Sequence, residues 1–135
     1  MADSAPLVRV IEQDVPAVDT AGDSEDTVLG QAPFDCTVTA VEYIPEAAVT
    51  GAATNHRTLS VVNKGSDGAA TTTVASLSFA AGTNADAYDV RALSLSGTAA
   101  NLDLDAGDTL QFRSVAVGTG ITDPGGLVRV TVERR

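Results

Sequence analysis

The chain has 135 residues, with 18 Asp and Glu against 8 Lys and Arg and a formal charge of −10. That length gives room for one domain with a real core and not for two. The acidic balance excludes a nucleic-acid clamp or a basic membrane-surface binder, because phosphate contacts need clustered Lys and Arg. Hydrophobic residues at 44% exclude a disordered acidic tail.

No apolar run approaches the roughly 20 residues of a membrane span, and the opening stretch Met1 to Ser4 lacks the basic start and apolar segment of a signal peptide. A lone cysteine, Cys36, excludes an internal disulfide or a multi-cysteine metal site. A lone histidine, His56, excludes sites that need two. Val and Thr favour strands, while Asp and Gly favour turns, so the mixture describes short strands joined by acidic turns. Lys64 is the only lysine. Lysine poverty with surplus Asp fits either a protein kept soluble in strong salt or a GC-rich genome.

In chain order, Leu7 to Ile11 is a short strand-like run between Pro6 and Pro16. Asp14 to Thr27 carries Asp14, Asp19, Asp23, Glu25 and Asp26 and reads as an exposed acidic connection. Residues 1–27 are therefore expected to form an extended N-terminal arm whose strand pairs either in cis or with a neighbouring subunit. Residues 28–135 are expected to form the folded domain.

The first strand of that domain puts Phe34, Cys36, Val38 and Ala40 on one face, then Val41 and Tyr43, a phase slip that predicts a bulge or bend near Ala40. Thr58 to Asn63 is a second strand, closed by the turn Lys64 to Gly68. Thr72 to Phe79 alternates, with Ala75, Leu77 and Phe79 together. Asp86 to Ser96 places Tyr88, Val90 and Ala92 on one phase and Leu93 and Leu95 on the other. Thr109 to Val117 shows a similar slip, from Leu110 and Phe112 to Val115 and Val117. The last strand sets Val128, Val130 and Val132 against Arg129, Thr131 and Glu133. The fold class is all-β, a jelly-roll-like antiparallel sandwich of about eight short strands, some of them bending from one sheet to the other.

Candidate chemistry is sparse. His56 lacks the Gly-x-Ser-x-Gly elbow or other motif that would make it a catalytic base. Cys36 shares a strand face with Phe34 and Val38, as a packed small hydrophobe would. Asp103, Asp105 and Asp108 place oxygen ligands as the opening of a calcium loop does. Yet Ala106 and Phe112 stand where the EF-hand pattern wants Gly and Glu, and an Ala-Gly-Asp turn after a strand edge explains every residue. Glu42 and Glu46 lack the aromatic platforms of a sugar cleft. No catalytic residue, cofactor or metal is expected.

Phe34 to Pro45 followed by Thr54 to Gly65, with Ala106 to Leu110 and the closing Asp123 to Val132, resembles small β-sandwich proteins of tailed viruses of bacteria or archaea. Those are described as capsid decoration, cement or head-fibre proteins. The resemblance spans residues 28 to 135 and implies a non-enzymatic protein, often trimeric, bound to the major capsid protein on the outside of the virion and made in the host cytoplasm. It implies neither a nucleic-acid nor a membrane partner. Within that reading Leu7, Val8, Arg9, Val10 and Ile11 are the expected partner-binding segment, and removal of residues 1 to 13 is expected to leave the sandwich folded. The alternative is a carbohydrate- or ligand-binding sandwich using the loops at Asn55 to Arg57, Ser66 to Asp67 and Thr119 to Gly126.

Overall fold

The computed structural model describes residues 7–135, so the first six positions of the expected arm lie outside the described residues. Ten strands form two antiparallel sheets: β1 (Val8–Val15), β2 (Glu25–Gln31), β3 (Cys36–Pro45), β4 (His56–Asn63), β5 (Thr72–Ser78), β6 (Arg91–Ala92), β7 (Ser94–Leu95), β8 (Asp103–Leu104), β9 (Thr109–Val117) and β10 (Gly126–Arg134). The first sheet runs β1-β10-β3, with β6 and β8 both pairing β3, and the second runs β2-β9-β4-β5-β7. Apart from the β4–β5 hairpin, each successive strand lies in the opposite sheet. The sandwich is as expected; the two strands beyond eight are β2, whose first residues fell in the expected acidic connection, and the one gained where Asp86–Ser96 divides into β6 and β7, two residues each and too short to show a period.

Alternation fixes the core. Val128, Val130 and Val132 of β10 are each fully buried and face Leu59 and Val61 of β4 and Leu110 and Phe112 of β9 across the interior. Burial of each such side chain is worth about 1.5–3 kcal/mol. Tyr43 of β3 stacks on Phe112 of the other sheet, with ring centroids 6.1 Å apart, and ties the two layers at mid-core.

The expected slip near Ala40 is a bulge: Thr131 pairs with Ala40 but Val132 pairs with Val38, so Thr39 is the extra residue. The slip between Ala92 and Leu93 has a different cause, a change of sheet. Arg91 and Ala92 pair with β3, Ser94 and Leu95 pair with β5, and the buried Leu93 turns the corner between them. Tyr88 and Val90, expected to share a phase with Ala92, are exposed as Ala92 is, and they lie on the loop before β6 rather than in a strand.

Two further expectations are corrected. The register of β9 against β4 is continuous from Val117 to Leu110, so β9 does not slip. Ser114 occupies the inward position between Phe112 and the strand end, and a polar residue there mimics a phase change. The arm boundary at residue 27 also fails. β1 pairs with β10 along its whole length, Val15 and Val18 are buried, and β2 begins at Glu25, so residues 8–27 belong to the sandwich. Because Ile11 packs against the core and β1 covers β10, removal of residues 1–13 should destabilise the domain rather than spare it. The expected loss is about 2 kcal/mol or more, read as a lower urea midpoint than that of the full chain.

Candidate functional site

The acidic string, expected to be an Ala-Gly-Asp turn after a strand edge, turns at Ala106 and Gly107. Asp103 and Asp105 are exposed, and both lie beside Arg135, at 3.9 and 3.1 Å. Asp103 also accepts the Thr37 hydroxyl at 3.0 Å. Asp108 is buried, and its Oδ2 accepts the amide of Asn63 at 3.1 Å and the Asp105 N–H at 2.9 Å. Its carboxylate therefore closes the turn. Among the described residues, no group of three or more His, Cys, Asp or Glu side chains is arranged to hold a metal ion. Cys36 is fully buried on β3, and burial pushes its thiol up from the ordinary range. His56 opens β4 half-buried, opposite Val117.

The chemically richest place is one that sequence reasoning missed. Arg57, on β4, is 1% exposed and is surrounded by Tyr43, Ser114 and Asp123, all equally inaccessible. Its Nε and Nη2 donate to the Ile121 carbonyl at 2.9 and 2.7 Å, and Nη2 donates also to the Ala21 carbonyl at 3.1 Å. Nη1 donates to Ser114 Oγ at 3.3 Å, and Ser114 passes its own proton toward Asp123 Oδ2 at 2.7 Å. Asp123 Oδ1 accepts the Tyr43 hydroxyl at 2.6 Å and the Gly125 N–H at 3.0 Å. The two charges are thus bridged through a hydroxyl, with the aspartate accepting short charge-assisted bonds on both oxygens.

This network explains how the loops at that end of the sandwich are held. Val18 and Asp123 exchange backbone hydrogen bonds at 2.8 and 3.0 Å, while Arg57 grips the carbonyls of Ala21 and Ile121. The loop 118–125 lies so close to the connection 16–24 that a Cβ on Gly120 would collide with the Ala21 carbonyl. One on Gly125 would sit 2.7 Å from the Ala17 nitrogen. Both glycines have positive φ, +72° and +75°. Burial and the facing Asp123 carboxylate push the Tyr43 phenol far above its ordinary range, and burial lowers the Arg57 guanidinium.

Four of the polar side chains in the loops expected to serve a ligand-binding module are engaged internally. Arg57 and Asp123 are buried, Asn55 Oδ1 accepts the Thr119 N–H at 3.0 Å, and Asp67 Oδ1 accepts the Ala69 N–H at 3.0 Å. A shallow depression of about 320 Å³ lies along the 17–25 connection, lined by Val18, Asp19, Asp23 and Glu25 among others.

The expected partner-binding segment sits on the edge strand β1, and its five residues do not share a face. Leu7 accepts the Arg134 N–H at 2.9 Å, just before the strand. Val8 pairs with Glu133 and Val10 with Thr131, which puts both on the outer face, each 47% exposed. Arg9 and Ile11 take the inner phase opposite Val132 and Val130, and Ile11 packs on the core. Among the described residues β1 has a ladder only to β10, so no strand pairs with its other edge, where Arg9 Nη1 donates to the Val8 carbonyl at 3.1 Å and Gln13 Nε2 to the Asp14 carbonyl at 3.2 Å.

The molecule defined by these elements is an all-β sandwich with an apolar, open edge strand and a buried ionic clamp at one end. In comparisons with known proteins, no family model and no curated protein matches the chain. It is similar in fold to a chain in the solved structure of infectious bursal disease virus Gx strain, with 12% sequence identity and a TM-score of 0.44. The match covers 97% of this chain and 33% of that one, so this chain spans about a third of its neighbour's length.

Asp123→Asn removes the partner charge of Arg57 and presents an N–H₂ where Ser114 or Tyr43 needs an acceptor. It should cost about 3–5 kcal/mol in chemical denaturation. The clamp also has a pH signature. With its folded pKa raised, Tyr43 contributes stability that is full below its unfolded value of about 10 and is lost as pH rises. Between about pH 10 and 12 the native chain should lose up to ~1.4 kcal/mol per pH unit more than Tyr43→Phe, measured by urea melts across that range.

Proposed function

We propose that this chain is a structural, non-enzymatic virion protein that decorates and stabilises the outside of an icosahedral capsid by binding the major coat protein, as a trimer. The observation that carries the reading is the β1 edge. Val8 and Val10 stand exposed on the outer face of an edge that pairs with no second strand among the described residues, where only the Val8 and Asp14 carbonyls are met, by the side chains of Arg9 and Gln13. A soluble protein normally guards such an edge with charge, Pro or a covering element. Here only Arg9 interrupts the apolar half from Leu7 to Ile11, while Glu12 and Asp14 guard the other half.

An extended segment of a coat subunit would add to that edge through main-chain hydrogen bonds, with Val8 and Val10 giving apolar contact on alternate positions. The likeness of residues 28–135 to decoration and head-fibre sandwiches supports the same role. Three linked edges in a trimer would convert a modest single contact into firm attachment. The charge of −10 would limit adhesion to DNA exposed during assembly.

Quantitative mass spectrometry of purified particles should find the chain at a simple fraction of the coat copy number, and absence from particles would sink the reading. The edge itself is tested by Val8→Asp combined with Val10→Lys. Both positions are solvent-facing, so stability should change by no more than about 1 kcal/mol, while binding to coat shells falls at least about tenfold. Undiminished binding by that variant would remove β1 from the interface.

A further inference from the structure

We propose that the loop Asp86–Val90 is a second, preformed contact surface, anchored by Tyr88 and shaped for a basic strip of the coat protein. The partner rests on the virion reading above; the surface does not. Tyr88 is 76% exposed and Val90 is 49% exposed, so an aromatic ring and a branched aliphatic chain stand in solvent within three residues of each other. Tyr88 is also the one non-glycine residue with positive φ among the described residues, at +63°. A bulky side chain in that region costs on the order of 1–2 kcal/mol per residue. Nothing in the packing repays that cost, because the ring is not in the core.

The loop is held in this conformation from three sides. Ala85 and Val49 exchange backbone hydrogen bonds at 2.9 and 2.8 Å, and the Tyr88 N–H donates to the Pro45 carbonyl at 2.8 Å. Arg91 then enters the ladder opposite Tyr43. The ring is therefore presented on a pinned backbone, and a rigid aromatic with few torsions loses little entropy when it is covered. Tyr is among the residues that most often dominate protein interfaces.

Charge names the occupant. Asp86 and Asp89 flank the ring in sequence, and exposed Glu46 directly follows the Pro45 carbonyl that Tyr88 binds. Half-buried Arg91 is the only cation between Asp86 and Leu95, so the exposed stretch Asp86–Val90 carries negative charge alone. An arginine or lysine from the partner would stack on the ring while pairing with the carboxylates.

The test measures binding of the full chain to coat shells from which the native chain has been stripped, across a salt series. Tyr88→Asn keeps a residue that tolerates the left-handed backbone, so its melting temperature should equal or exceed that of the native chain while affinity falls about tenfold or more. Asp86→Asn with Asp89→Asn should lower affinity several-fold and flatten its salt dependence. If the native chain does not bind shells, the coat-binding reading itself fails. If the native chain binds and Tyr88→Asn binds equally, the loop proposal fails while that reading stands. If only Tyr88→Asn weakens binding and the salt dependence is unchanged in the double variant, a basic occupant is overturned. A lower melting temperature for both Tyr88→Asn and Tyr88→Gly would mark the ring as structural and overturn the proposal.

Discussion

A guanidinium without access to water must find hydrogen-bond acceptors wherever the chain can bring them, and the loop structure at one end of this sandwich follows from that demand. Arg57 takes its acceptors from the carbonyls of Ala21 and Ile121 and from Ser114, 36, 64 and 57 residues away from it in sequence. Asp123 supplies the opposite charge one hydroxyl away and is itself fully engaged by Tyr43, Ser114 and Gly125. Each group would be costly to bury alone; together they satisfy one another. The result fixes where the connection 16–24 and the loop 118–125 lie, and with them the path by which the chain enters β2 and β10.

That clamp also accounts for the position of β1. The chain leaves β1 at Val15, passes under the 118–125 loop through the Val18–Asp123 bridge, and rises into β2 in the other sheet. With the crossing pinned, β1 has one place to go, the free side of β10, where its apolar inner residues meet the core. An edge strand held in this way is rigid and has a defined outer face. In the proposed role it would offer a partner a template rather than a loose tail, and the rigidity would lower the ordering cost of association. The two features that look outward, the β1 edge and the Tyr88 loop, are both held by backbone hydrogen bonds.

Much of the fold was legible because it depends on a period of two. Val128, Val130 and Val132 announced β10, and the change of phase at Ala40 announced the bulge, since an extra residue inverts which side chains face inward. The segment Asp86–Ser96 was legible only in part. Its change of phase was visible, but the cause was a transfer between sheets, and strands of two residues are too short to tell one from the other. Ser114 misled for an instructive reason. A hydroxyl at an inward position reads as outward unless its partners are known, and its partners, Arg57 and Asp123, lie 57 and 9 residues away. Asp123, in an Asp-Pro-Gly-Gly run, carries no local sign that its carboxylate is buried. For the clamp no local signal exists, because Arg57 stands in a strand beside His56 and Thr58 like any surface cation.

By itself the sequence determined that this is an acidic all-β chain, with the alternating core residues of its longer strands and the absence of any recognised catalytic motif. These are properties of composition and of short-range alternation, and they hold whatever the strands pair with. Tertiary structure alone decided that residues 8–27 belong to the sandwich, that Arg57 and Asp123 are buried, and that Val8, Val10 and Tyr88 face solvent. Those outcomes depend on which distant backbone groups come together. A strand like β1 has equal local propensity to pair in cis or in trans, and a charge is buried only when the fold delivers its partners.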